Sequence, residues 1–193
     1  MKNSLFISYA LGRIYSGVLC GAMCVVYLTW LVQTLEQQGI AVSRIAETIA
    51  GLIVMVLFSS RMILNWAADR PYKLMIYYTV CMLTDIVIVF TCQSLPWLIL
   101  GSSAFTSIGP TVFLQARAIM LNRVMASDEL SLFKNRLDTL GIISSLAGSG
   151  LGMIIPVSLD AAGWLSLVYL ILILHANFWQ IKELEKMPRL KLE

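Results

Sequence analysis

The chain has 193 residues, of which 59% are hydrophobic and 13% charged, with a mean hydropathy of +0.81. So little polar surface excludes a soluble globule of this length and makes lipid the solvent for most of the chain. The net charge of +3 is weak ground for nucleic-acid binding; its distribution matters more than its sign, and no nucleic-acid partner is expected.

Six apolar stretches are expected to cross a bilayer, at roughly 12–34, 42–66, 73–92, 95–120, 138–158 and 162–181, since a 30 Å core takes about 20 helical residues. Each must be helical, because only bonds within the segment satisfy the backbone in hydrocarbon. The expected fold class is therefore all-α, a single polytopic domain over 1–193. Placing the amino terminus inside puts every basic residue except Arg44 on or toward the cytoplasmic side. That asymmetry predicts both termini in the cytoplasm and argues against dual topology. Trp30, Trp66, Trp97, Trp164 and Trp179 fall near expected span ends, as an interfacial belt does.

The first apolar run is too long for a signal-peptide core and lacks a small-residue cleavage pattern, so it reads as the first span. Gly17 and Gly21 form a small-xxx-small pair there, suited to close helix approach within the half or to a second subunit. Cys20 and Cys24 share a helix face, but two thiols without His or further Cys nearby are poor metal ligands; no metal or other cofactor is expected. Tyr27, Thr29 and Gln33 are further polar groups of this span.

The turn after the second span reads Asn65-Trp66-Ala67-Ala68-Asp69-Arg70-Pro71-Tyr72-Lys73. Asp69 can pair with Arg70, Lys73 or the Arg117 and Arg123 region, and exposed pairs worth about 0–1 kcal/mol suit a gate that must open. The same residues also read as an ordinary cluster of interface charges. In the third span Asp85 is expected close to the midplane, where a carboxylate is costly and is usually turned to a cavity or a basic partner. It reads as a proton, cation or cationic-substrate site, or as a structural bond to Thr84, Thr106 or Ser107, or a pair with Arg61. Thr106, Ser107 and Thr111 are the polar groups of the fourth span, where single hydroxyls commonly bond a backbone carbonyl.

The segment 122–137 is charged and is expected to be a cytoplasmic linker holding a short interfacial helix, begun by Ser127 with Asp128 and Glu129 behind it. In the fifth span Gly148 and Gly152 repeat the small-xxx-small spacing. Ala147-Gly148-Ser149-Gly150 with His175 in the sixth span raises a Ser-His dyad. His175 is the sole histidine, no His-Asn pair stands in the second span, and no other enzymatic motif occurs, so an enzyme is not expected. The tail from Lys182 is amphipathic and basic and is expected to lie on anionic lipid.

Taken together, three stretches carry a resemblance. The turn at 65–73 resembles the loop motif of the major facilitator superfamily, with Ala68, Asp69, Arg70 and Lys73 matching and Asn65, Ala67 and Tyr72 in place of Gly, Leu and Gly. Gly109-Pro110, Ala116-Arg117, Asn122-Arg123-Val124, Asp128-Glu129-Leu130 and Asn135 resemble the fourth-to-fifth helix region of the enterobactin and macrolide exporters. Gly148-Ser149-Gly150-Leu151-Gly152-Met153 is similar to the antiporter pattern G-P-x-x-G-G, with Ser149 for Pro and Met153 for the last Gly. The resemblance implies an amino-terminal half of a major facilitator fold, six helices as two three-helix repeats. It implies a latch at Asp69 and Arg70 against a partner half, and a cavity lined by Tyr27, Thr29, Gln33, Thr106, Ser107 and Thr111. The superfamily's usual fourth-span arginine is absent near Ile108-Gly109, where Phe105 or a neighbouring serine stands.

The expected function is export of small amphipathic molecules by alternating access, as a parallel homodimer or with a second six-helix half, in a bacterial-type inner membrane. The alternative is a non-transporting interaction, immunity or regulatory protein derived from such a half. A third possibility is the front half of a longer protein, divided near Met187.

Overall fold

The computed structural model describes residues 2–67 and 71–187; the Asp69 and Arg70 expectations lie outside the described residues. The described residues are helical throughout: α1 Lys2–Tyr15, a π-helical turn Ser16–Cys20, α2 Gly21–Gln37, α3 Val42–Ala67, α4 Pro71–Thr91, α5 Pro96–Thr106, α6 Ile108–Asn122, α7 Ser127–Ile154 and α8 Leu159–Glu185. Among them six stretches are long and apolar enough to cross a membrane, namely Asn3–Gln37, Val42–Leu64, Tyr72–Thr91, Pro96–Asn122, Asp128–Ile154 and Leu159–Glu185. These are the six apolar helices of an integral membrane protein.

Local chemistry sets most boundaries. Gly39 closes α2 at φ +79. Its N–H donates to Glu36 O at 2.9 Å and that of Ile40 to Leu35 O at 3.1 Å, the paired bonds of a Schellman turn. Ile40 then packs into the cluster around Leu31, Leu35 and Ile45. Proline starts α4 and α5, where its missing N–H is not needed. Pro110 has a different effect: it deprives the Thr106 carbonyl of its donor four residues on, and the helix is interrupted at Ser107. Ser158 caps α8 by accepting from Ala161 N at 3.1 Å.

Three expectations change. Helix begins at Lys2, ahead of the span expected at 12–34, because Leu5 and Tyr9 are buried against Phe133, Leu137 and Leu184. The segment 122–137 is no linker with a separate interfacial helix. Only 123–126 is irregular, and α7 runs on without a break, since no Gly or Pro interrupts 127–140 and its first turns dock Phe133 and Leu137 onto α1. As far as Met187 the tail buries its apolar face in the bundle, Leu184 and Met187 joining the same cluster as Leu5 and Tyr9, while Lys182 and Lys186 stay exposed.

The helix formed by α1, the π turn and α2 packs along α7 and α8. α3 packs on α5 and α6, while α4 packs on α5, α6 and α8. The first of these interfaces is a seam of small residues. A Cβ on Gly21 would lie 2.8 Å from Ser145 O, and one on Gly152 would lie 2.8 Å from Ala22 O. Gly17 faces Ser144, and Gly148 faces the Gly17 and Val18 carbonyls. The glycines of the first and fifth spans therefore meet each other within the chain, where backbone approach maximises van der Waals contact. At the centre Tyr78, Ile86, Ile108, Val112, Phe113, Tyr169 and Ile173 form the main apolar core.

Candidate functional site

α4 carries Asp85 six residues before its end at Thr91, about 9 Å along the helix. The carboxylate thus lies in the half of α4 nearer the 92–95 turn. Its short bond comes from a residue not anticipated: Ser103 Oγ on α5 donates to Asp85 Oδ1 at 2.7 Å. Thr84 is turned elsewhere, donating to Val80 O, and Arg61 is exposed on α3. Among the described residues Asp85 makes no ion pair.

Asp85 opens into a cavity of about 320 Å³ lined by Tyr27, Ser103, Thr106, Ser107 and Tyr169, with Met23, Met82 and Val89 among its apolar walls. An adjoining cavity of about 430 Å³ shares Cys24, Tyr27, Ser103 and Ser107, reaches Thr111, and extends to Ile53 and Leu57 on α3. Four of the six expected cavity residues, Tyr27, Thr106, Ser107 and Thr111, line these spaces. Thr29 and Gln33 line neither, and Gln33 is exposed.

The hydrogen-bond directions decide what the cavity offers. Thr106 donates to Ser102 O at 2.9 Å, Ser107 to Ala104 O at 2.7 Å and Thr111 to Ser107 O at 2.8 Å. Those hydroxyl protons are committed to the helix, so the oxygens present lone pairs to the cavity. Ser103 spends its proton on Asp85. The Tyr27 hydroxyl is buried without a partner. No Lys, Arg or His lines either space. A carboxylate ringed by acceptor oxygens in apolar walls suits a proton or a cationic or hydrogen-bond-donating guest, and repels an anion.

Three of the expected gate residues, Lys73, Arg117 and Arg123, are among the described residues. Lys73 is exposed at the start of α4 and Arg123 is half-buried after α6. Arg117 is not on the rim: it is buried, and its Nη1 donates to Asn177 Oδ1 at 3.1 Å and to Gln180 Oε1. The guanidinium sits 5.1 Å from the Tyr9 ring centroid and 5.9 Å from that of Phe113, within cation–π range. Gln180 Nε2 in turn donates to Ser8 O at 2.9 Å, tying α1, α6 and α8 together. Ser103, Asn177, Gln180 and Tyr9 were missed in the sequence. Asn177 and Gln180, three residues apart in an otherwise apolar span, were the available signal.

The dyad is not assembled as a site. Ser149 lines a groove with Ser16, Gly17 and Ser145, whereas His175 is exposed beside Trp179. Among the described residues no group of three or more His, Cys, Asp or Glu is placed to hold a metal ion. Comparison with protein-family models, with curated proteins and with solved structures gives no match.

Proposed function

We propose that the chain is one six-helix half of a major facilitator type transporter, and that the Asp85 cavity takes a proton and a small amphipathic cation by turns during export. The observation that carries this reading is a symmetry in the packing. Take the six helices in order, counting α1–α2 as first and α5–α6 as fourth. Exchange the first three with the last three, and first-on-fifth becomes fourth-on-second, first-on-sixth becomes fourth-on-third, and third-on-sixth is unchanged; these are the extensive interfaces of the bundle. Two three-helix repeats related by a pseudo-two-fold axis would produce that pattern.

The cavity chemistry supports the cargo class, since its carboxylate and oriented lone pairs favour cations and donors. The departures from the antiporter glycine pattern at Ser149 and Met153 do not touch this cavity. The basic-residue bias supports an inner-membrane setting with both termini cytoplasmic. Halves of this superfamily are related by an axis along the membrane normal, so a second copy in the same orientation, or a separate second half, would complete the pathway.

The test uses the full chain in proteoliposomes loaded with a lipophilic fluorescent cation under an imposed pH gradient. Gradient-dependent flux is expected, and Asp85→Asn should abolish it while leaving the melting temperature close to wild type. Flux that survives Asp85→Asn sinks the coupling role. A wild-type chain that moves no cation in any oligomeric state found by mass measurement supports instead a non-transporting interaction protein.

A further inference from the structure

The end of the bundle that carries Lys2 and Glu185 holds a buried cation that no acid among the described residues neutralises. Arg117 lies five residues before the end of α6, and its hydrogen-bond partners are both side-chain amides. An amide oxygen satisfies an N–H but does not cancel the charge, and a buried charge without a counter-charge is costly. At this level α1, α6 and α7 leave between them a cavity of about 350 Å³, lined by Arg117 together with Arg13, Lys134, Tyr9 and Asp138. Three cations there face one carboxylate, and Asp138 is already paired with Arg13 at 3.0 Å. Among the described residues Lys134 bonds the neutral Asn122 Oδ1, at 3.3 Å.

Tyr9 gives an independent sign. Its side chain is 5% exposed and its hydroxyl has no hydrogen-bond partner. Buried phenols usually find one. A surplus of positive charge and an idle donor at one cavity describe a place for an anion.

We propose that this cavity binds a phosphate group, mono- or diester, with Arg117 as its anchor and Lys134 and Tyr9 as flanking donors. The guanidinium fork matches tetrahedral phosphate oxygens better than it matches a lone acceptor. Arg117 stands about 8 Å in from the end of its helix, a depth that a lipid headgroup reaches from the bilayer and that free phosphate reaches from water. The Asp85 cavity, at the other end of the helices, is chemically its opposite.

The full chain, stripped of lipid in a neutral detergent, is titrated with phosphatidylglycerol, with dioleoylglycerol as the phosphate-free lipid, and with inorganic phosphate. Native mass spectrometry reads the lipids and calorimetry the phosphate. Tyr9→Phe and Lys134→Gln, each checked for an intact melting transition, should weaken saturable binding about tenfold, the loss expected for one bond to a charged group. Phosphatidylglycerol binding with that sensitivity assigns the group to lipid, and inorganic phosphate binding with it assigns a soluble source; either supports the site. The proposal is overturned if neither phosphate probe binds, if dioleoylglycerol binds equally, or if both variants bind like wild type.

Discussion

Gly148→Ala is the sharpest mechanical test of the bundle. A Cβ at this position would lie 2.7 Å from both Gly17 O and Val18 Cα, and closer still to Val18 O, whereas ordinary contact begins near 3.4 Å. The obstacles are backbone atoms of the π turn, which no rotamer change can move. Relief requires the first helix and α7 to part by more than about 0.7 Å, since the approach to Val18 O is tighter still, and a gap of about that size already forfeits a quarter to a half of each contact's attraction. The neighbouring approaches at Gly17, Gly21 and Gly152 open with it, so a loss of about 2–3 kcal/mol is expected, as for other overpacked cores. Gly150 provides the control two residues away: nothing lies within 4 Å of its Cβ position. Gly150→Ala should be neutral or stabilising by up to about 1 kcal/mol, from helix propensity. The assay is the unfolding midpoint of the full chain in mixed micelles titrated with a denaturing detergent. Equal tolerance of the two alanines would refute the seam.

The same assay checks other features. Leu184→Ala should cost about 2–4 kcal/mol, because Leu184 is buried against the α1 and α7 cluster; a tail lying on lipid would give almost none. Gly39→Ala should cost about 1–2 kcal/mol purely from its left-handed backbone, since nothing crowds the position, and Gly39→Asn should recover part of it. Ser158→Ala should remove the α8 cap for about 1 kcal/mol, with an unchanged midpoint arguing against the side-chain bond.

How far the sequence reached depended on whether a feature was local. Hydropathy located all six spans, because a stretch of some twenty apolar residues has few other fates. It misread 127–137, where charge suggested an interfacial helix. Phe133 and Leu137 decided the outcome by packing on Leu5 and Tyr9, more than a hundred positions away. The spacing of Gly17, Gly21, Gly148 and Gly152 announced close packing without naming the partner. Asp85 was conspicuous from its apolar surroundings, yet Ser103 had no mark distinguishing it from Ser102 until α5 was placed beside α4. Arg117 was the largest misreading: a basic residue near a span end reads as a rim charge, and only amides from α8 make its burial tolerable.

Between Asp85 and Arg117 lies the main apolar core, whose described members carry no charge. Tyr78 on α4, Phe113 on α6 and Tyr169 on α8 each fall in sequence between that helix's polar ends, and Tyr78 Oη meets Tyr169 Oη at 3.1 Å within the apolar core. An elementary charge carried across the whole of a bilayer does work of about 2.3 kcal/mol per 100 mV, and passage through that core takes a share of it. Any turnover that moves net charge past Tyr78 must therefore show a voltage dependence, and one that moves none must not.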